Sequence, residues 1–122
     1  MPDNTMKILE KMLDISAFRQ KVLASNIANA DTPGYKAKDI SFQKELANLM
    51  DGPIEGSAAG QPQKKSFEVL ETVTTMSNRD GNTVNLDIEM AKVAENTLLY
   101  NTAAQLMTTK TRMLKDVIKG GR

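Results

Sequence analysis

The chain has 122 residues, a net charge of +1 and only 4% aromatic residues, with no Trp. That length fits one domain, and so near-neutral a balance lacks the basic stripe that nucleic-acid binding needs. With neither His nor Cys, the usual zinc ligand sets, thiol nucleophiles and His-based triads are excluded, and cysteine usage says nothing about compartment.

Met is abundant, at eight residues, and its pliable side chain suits irregular gaps between helices. The basic clusters Lys36/Lys38, Lys64/Lys65 and Lys110/Arg112/Lys115 are small and read as solvated surface. The first eleven residues include Asp3, Lys7, Glu10 and Lys11 and lack an apolar stretch, so they are not a secretory signal. No apolar run approaches a membrane span.

In chain order, the first predicted element is a helix from Thr5 to Asn29. Met6, Ile8, Leu9, Met12, Leu13, Ile15, Phe18, Val22, Leu23 and Ile27 cover roughly 200° of its circumference, so it is buried from more than one side. Glu10, Asp14, Lys21 and Ser25 gather on the narrow remaining face. The helix stops at Asn29-Ala-Asp31-Thr32-Pro33-Gly34. Asn29 suits a left-handed helix end, Pro33 forces Thr32 out of helical geometry, and Pro33-Gly34 fits the centre of a type II turn.

A short amphipathic helix follows, capped by Asp39 or Ser41, with Phe42, Leu46, Leu49 and Met50 on one face. Residues 51–63 are dominated by Gly, Pro, Ser and Gln and read as loop. Residues 67–74 are rich in β-formers and suggest a short strand, and 77–82 a turn.

The last element is a helix from Asn85 to about Ile118, roughly 50 Å long. Asn85 is its cap, and Asp87 and Glu89 oppose the positive helix end. Leu86, Val93, Tyr100, Met107 and Leu114 recur every seven residues. Met90, Thr97, Ala104, Thr111 and Ile118 follow each by four. Such 4-3 stepping is the seam of a helix packed lengthwise on another. A second stripe, Leu99, Ala103, Leu106, Lys110, Met113 and Val117, serves a second neighbour. Ile8, Met12, Ile15 and Val22 are the matching packing positions on the first helix.

The predicted fold is all-α. Two long antiparallel helices form a coiled-coil-like pair, with an irregular middle carrying a short helix and a possible β-ribbon. Residues 1–35 are the first helix and its turn, 36–81 the mobile middle and 82–122 the last helix, in one domain. So much apolar helix surface makes a poor monomer and a good unit for a tubular assembly with contacts that do not close. No nucleophile–base pair, phosphate-cradling loop or ligand cluster stands out, so the chain reads as a non-enzyme without cofactor or metal. The alternative is a coiled-coil adaptor in the cytosol.

The string Leu23-Ala-Ser-Asn-Ile-Ala-Asn-Ala-Asp-Thr-Pro-Gly-Tyr-Lys36 closely resembles the signature of bacterial flagellar axial proteins of the rod and hook class. Its marked residues here are Asn26, Asn29, Asp31, Thr32, Pro33, Gly34 and Tyr35. With Gly81-Asn-Thr-Val-Asn-Leu-Asp-Ile-Glu-Met-Ala-Lys-Val-Ala-Glu-Asn96, it is similar to one of two neighbouring proximal-rod proteins more than to the other. The resemblance implies a structural subunit of the periplasm-spanning rod in the flagellar basal body. It implies export through the flagellar type III gate without signal cleavage. The implied partners are other proximal rod subunits, the adaptor joining rod to membrane ring, and the export gate. No nucleic acid is implied, no direct membrane span, and multimers only in the assembled rod. Asn26 and Asn29 lie on adjacent helix positions. They either cap the helix locally or fix subunit register.

Overall fold

The computed structural model describes residues 4–51, 67–72 and 78–120. Helix α1 runs Asn4–Ala28, strand β1 Lys38–Asp39, helix α2 Phe42–Asp51, strand β2 Leu70–Glu71 and helix α3 Leu86–Gly120. The long helices α1 and α3 pack on each other antiparallel, as the apolar runs at both ends of the chain predict. Of the loop expected at 51–63, Asp51 instead continues α2 by one residue, and residues 52–63, like the strand residues 73 and 74, lie outside the described residues.

The end of α1 is drawn tight by the sequence. Asn29 N donates to Ser25 O at 3.0 Å, and Thr32 N to Asn29 O at 3.0 Å. The helix ends without a left-handed residue at Asn29, contrary to expectation, because glycines alone have positive φ among the described residues. Asn29 acts through its side chain instead, with Nδ2 donating to Ser25 O at 2.8 Å. Pro33-Gly34 forms the expected turn: Tyr35 N donates to Thr32 O at 3.2 Å and Gly34 has φ 75°. A Cβ at Gly34 would meet nothing within 4 Å, so a substitution there is opposed by backbone conformation alone. Gly34→Ala is expected to lower stability by about 1–2 kcal/mol in urea unfolding, and Gly34→Asn by less.

The short elements hang on this turn. β1 pairs antiparallel with β2, Lys38 opposite Glu71 and Asp39 opposite Leu70. Ser41 caps α2, its Oγ accepting from Lys44 N at 3.3 Å. Asp39, the other expected cap, is held elsewhere by Arg19. On α2, Phe42 and Leu46 are half-buried, while the side chains of Leu49 and Met50 fall outside what is described. Residues 78–84 then lie along 34–37: Gly34 N donates to Asp80 O and Thr83 N to Tyr35 O, both at 3.0 Å. Asn85 caps α3 as predicted, Oδ1 accepting from Asp87 N at 3.0 Å and Ile88 N at 3.3 Å.

The buried apolar core is small: Leu9, Ile15 and Leu23 from α1, Ala37, Ile40 and Val84 beside the turn, and Ala103 from α3. Each fully buried Leu or Ile contributes roughly 1.5–3 kcal/mol. Hydrogen bonds set the register of the helix pair, with Asn26 level with Glu89 and Ser16 and Gln20 level with Asn96. Continued at 1.5 Å per residue, this places Asn4 level with about residue 110, so roughly the last ten residues of α3 overhang the described start of α1.

Candidate functional site

The signature turn is built around Asn26. Its side chain is completely buried. Nδ2 donates to Lys38 O at 2.6 Å and to Glu89 Oε2 at 2.9 Å. Oδ1 accepts from Lys38 N at 3.0 Å and from the Tyr35 hydroxyl at 3.4 Å. The amide therefore copies a strand partner, taking both backbone groups of Lys38, and uses its second proton to tie α3. All four of these bonds are within the chain and none goes to a carbonyl at the end of α1, so Asn26 is not the local cap of the first expectation. Asn29 does cap locally, and Thr32 Oγ1 donates to its Oδ1 at 3.0 Å.

A charged chain extends this tie. Arg19 grips Asp39 with two bonds, Nε to Oδ1 at 2.9 Å and Nη2 to Oδ2 at 3.1 Å. Lys92 Nζ lies 3.7 Å from Asp39 and 3.9 Å from Glu89. Burial opposes the Arg19 charge. The bond to Asp39 and the charges of Asp39, Glu95 and Glu89 outweigh it and raise its pKa above the ordinary arginine value. A raised cationic pKa gives stability that is present at every pH below the unfolded value, so this contact is constant through the neutral range. Glu89 is almost wholly buried. It is not only the helix-end charge that its first-turn position suggested, but a bond between helices.

Two more asparagines complete the lock. Asn82 is fully buried, and its two Nδ2 protons are shared among the carbonyls of Asn29 and Ala30 at 3.0 Å and of Thr32 at 2.7 Å. The carbonyls of Asn29 and Thr32 also accept from Thr32 N and Tyr35 N, so Asn82 adds a second bond to each and ties α3's leading segment to the turn that follows α1. Asn96 donates to Ser16 O and Gln20 Oε1, both at 2.9 Å. Its Oδ1 and the Ser16 Oγ are buried without a hydrogen-bond partner among the described residues, so this level of the interface is less completely bonded than that of Asn26.

The face that α3 turns to α1 is thus Glu89, Asn96 and Ala103, themselves seven apart. The predicted apolar row lies beside it. Leu86, Met90, Tyr100, Leu114 and Ile118 are exposed, Val93 and Met107 half-buried. In the second stripe Leu106, Met113 and Val117 are exposed and Leu99 half-buried. On α1, Ile15 is buried and Ile8, Met12 and Val22 half-buried. Of the signature residues, Asp31, Thr32, Pro33 and Gly34 are exposed and Tyr35 is half-buried, its hydroxyl 3.2 Å from Ser25 Oγ. Sequence reasoning missed Arg19, Asn82, Glu89, Lys92 and Asn96 as a set. For the four on helices the signal was polar residues at helix-face spacing within apolar helices; Asn82, in the segment before α3, had none.

Among the described residues, no group of three or more His, Cys, Asp or Glu could hold a metal ion, and no helix is long and apolar enough to cross a membrane.

The family model for flagella basal body rod proteins matches residues 16–36, the α1 half of this lock together with its turn. Over 132 residues the chain is 32% identical to the flagellar basal body rod protein FlgB of Yersinia ruckeri, spanning 98% of this chain and 96% of that protein. It is 33% identical over 127 residues to the FlgB of Bacillus subtilis strain 168, spanning 97% and 95%. The chain belongs to the FlgB family of flagellar basal body rod proteins. The FlgB of Salmonella typhimurium strain LT2 is similar to the same extent, 32% identical over 135 residues. The likeness to FlgB proteins runs through both long helices and the middle, so it favours this family over the neighbouring proximal-rod protein and over an unrelated adaptor.

Proposed function

We propose that this FlgB-family chain is a structural subunit of the proximal rod of the flagellar basal body, acting by packing and not by catalysis. The observation that carries this reading is the apolar row of α3 that its own α1 leaves exposed, from Leu86 and Met90 through Tyr100 to Leu114 and Ile118. An apolar row of that length on a small chain is matched by neighbours. In this reading residues 1–35 and 82–122 make the packing core, and the middle segment joins it through Ala37, Ile40 and the Arg19–Asp39 pair. The partners are other proximal rod subunits, the adaptor between rod and membrane ring, and the flagellar type III export gate. The subunit passes through that gate without signal cleavage, and multimers form only in the rod.

The chain has no Cys, so introduced thiols report without background. Val93→Cys and Met107→Cys chains, co-incorporated into basal bodies and oxidised, are expected to give disulfide-linked dimers of separate copies. Basal bodies with no incorporated chain would refute the reading. An adaptor would give a protease-resistant free monomer; a rod subunit gains protection of its termini on assembly.

A further inference from the structure

Leu98 is 68% exposed at mid-height on α3. At 100° per residue it lies about 160° from Asn96 and 140° from Ala103, so it points away from α1. Glu95, whose side chain is 66% exposed, precedes it by one turn on the same side. It keeps only a loose 3.9 Å approach to Arg19. Together they form an apolar knob with a carboxylate beside it.

A matching hollow lies on the flank of α1 beside the turn. It is about 230 Å³, walled by Phe18, Val22 and Val69 with Tyr35 beside them, and Lys21 and Lys38 line it as well. Lys38 Nζ sits 5.5 Å from the centre of the Tyr35 ring. Phe18 is braced by Phe67, their ring centres 5.1 Å apart. A cavity of roughly 150 Å³ already takes a benzene, so this one has room for a leucine side chain. Two lysines at an apolar hollow favour an occupant with a carboxylate next to its apolar group.

We propose that this hollow receives Leu98 and Glu95 of a neighbouring copy of the chain; the proposal rests on the rod reading and names one lateral contact within it. Three features point to a second copy. The charges are opposite, Glu95 against Lys21 and Lys38. Knob and hollow face different directions, so one chain cannot close the contact on itself. Both lie at nearly the same height, because the Asn96 level of α3 meets Ser16 and Gln20 of α1. A contact between unlike patches at equal height sets copies side by side and repeats without pairing off.

The test uses the full chain in a bacterium lacking its own copy of the gene. Leu98→Cys and Val22→Cys chains are co-expressed, and isolated basal bodies are oxidised. A disulfide-linked dimer is expected from the mixture and not from either chain alone. Leu98→Asp is expected to weaken each contact about 10- to 100-fold and to reduce swimming, with an unchanged thermal midpoint. Glu95→Lys is expected to weaken it about two- to fivefold, with partial recovery in the Glu95→Lys, Lys21→Glu double variant. The proposal is overturned if Leu98→Asp, folded as the unchanged chain is, swims normally. It is equally overturned if the mixed dimer is missing from basal bodies in which Val93→Cys and Met107→Cys do cross-link. Failure of the unchanged chain to enter basal bodies would instead refute the rod reading.

Discussion

Asn26→Ala is expected to be the most damaging single change in the helix pair. The side chain is fully buried and makes four bonds, two to the backbone of Lys38, one to Glu89 and one to Tyr35. Truncation leaves the Lys38 N–H and C=O without their partner and removes the direct donor to an almost fully buried carboxylate. An orphaned buried polar group costs about 1–3 kcal/mol, more when charged, so a loss of roughly 3–5 kcal/mol follows. Against a typical total of about 5–15 kcal/mol, that unfolds a large share of molecules on modest heating. The melting temperature should fall by roughly 10–20 °C. Asn26→Asp keeps the shape but sets a second carboxylate against Glu89 and removes both donors, so it should be no better than Ala. A near-normal midpoint for either variant, measured by circular dichroism, would show that this clasp is not what aligns α1, β1 and α3.

The second large effect is expected at Arg19. Its guanidinium holds both oxygens of Asp39, and the two side chains are 9% and 16% exposed. Arg19→Ala leaves Asp39 with the Ile40 N–H at 2.7 Å and a distant Lys92. Breaking a buried pair from one side costs about 3–5 kcal/mol; the residual exposure and Lys92 reduce this to about 2–4 kcal/mol. The effect is also local. Asp39 belongs to β1, so among the described residues the ribbon loses one of its two anchors to α1 and keeps only the Asn26–Lys38 bonds. Hydrogen exchange at the Thr72 N–H, bonded to Ala37 O at 2.9 Å, should accelerate more than exchange in the middle of α3. Arg19→Lys should not restore it, because a single ammonium cannot match the two-pronged grip. Uniform acceleration along both helices would point to plain loss of stability instead.

The ends of both long helices were legible in the sequence because they rest on local chemistry. Pro33-Gly34 and Asn85 act within a few residues of themselves, and the structure puts a positive φ at Gly34 and the cap at Asn85. The choice between Asp39 and Ser41 as a cap was not legible, since it turns on Arg19, twenty residues earlier. The face by which α3 meets α1 was hidden for a related reason. Apolar periodicity finds the row at Leu86, Met90, Val93 and Tyr100, but the chain spends Glu89 and Asn96 on its own interior. A buried glutamate and a solvated one look alike until Asn26 and Lys92 are placed around it. Asn82 looked like one more turn residue, because the three carbonyls it bonds belong to the turn after a helix some fifty residues away.

The unequal helix lengths carry a mechanical corollary. With 25 residues in α1 and 35 in α3, the described part of the helix pair is uneven at one end. Met113, Leu114, Val117 and Ile118 project on the overhang, the last two 71% and 80% exposed. In the proposed rod reading, a shaft of such units would be joined as overlapping laps, with each tongue lying across the seam between its neighbours. Twisting then loads those joints sideways along several helical turns at once, instead of prying open butt ends, and rows of weak apolar contacts resist sliding far better than any one of them resists being pulled away.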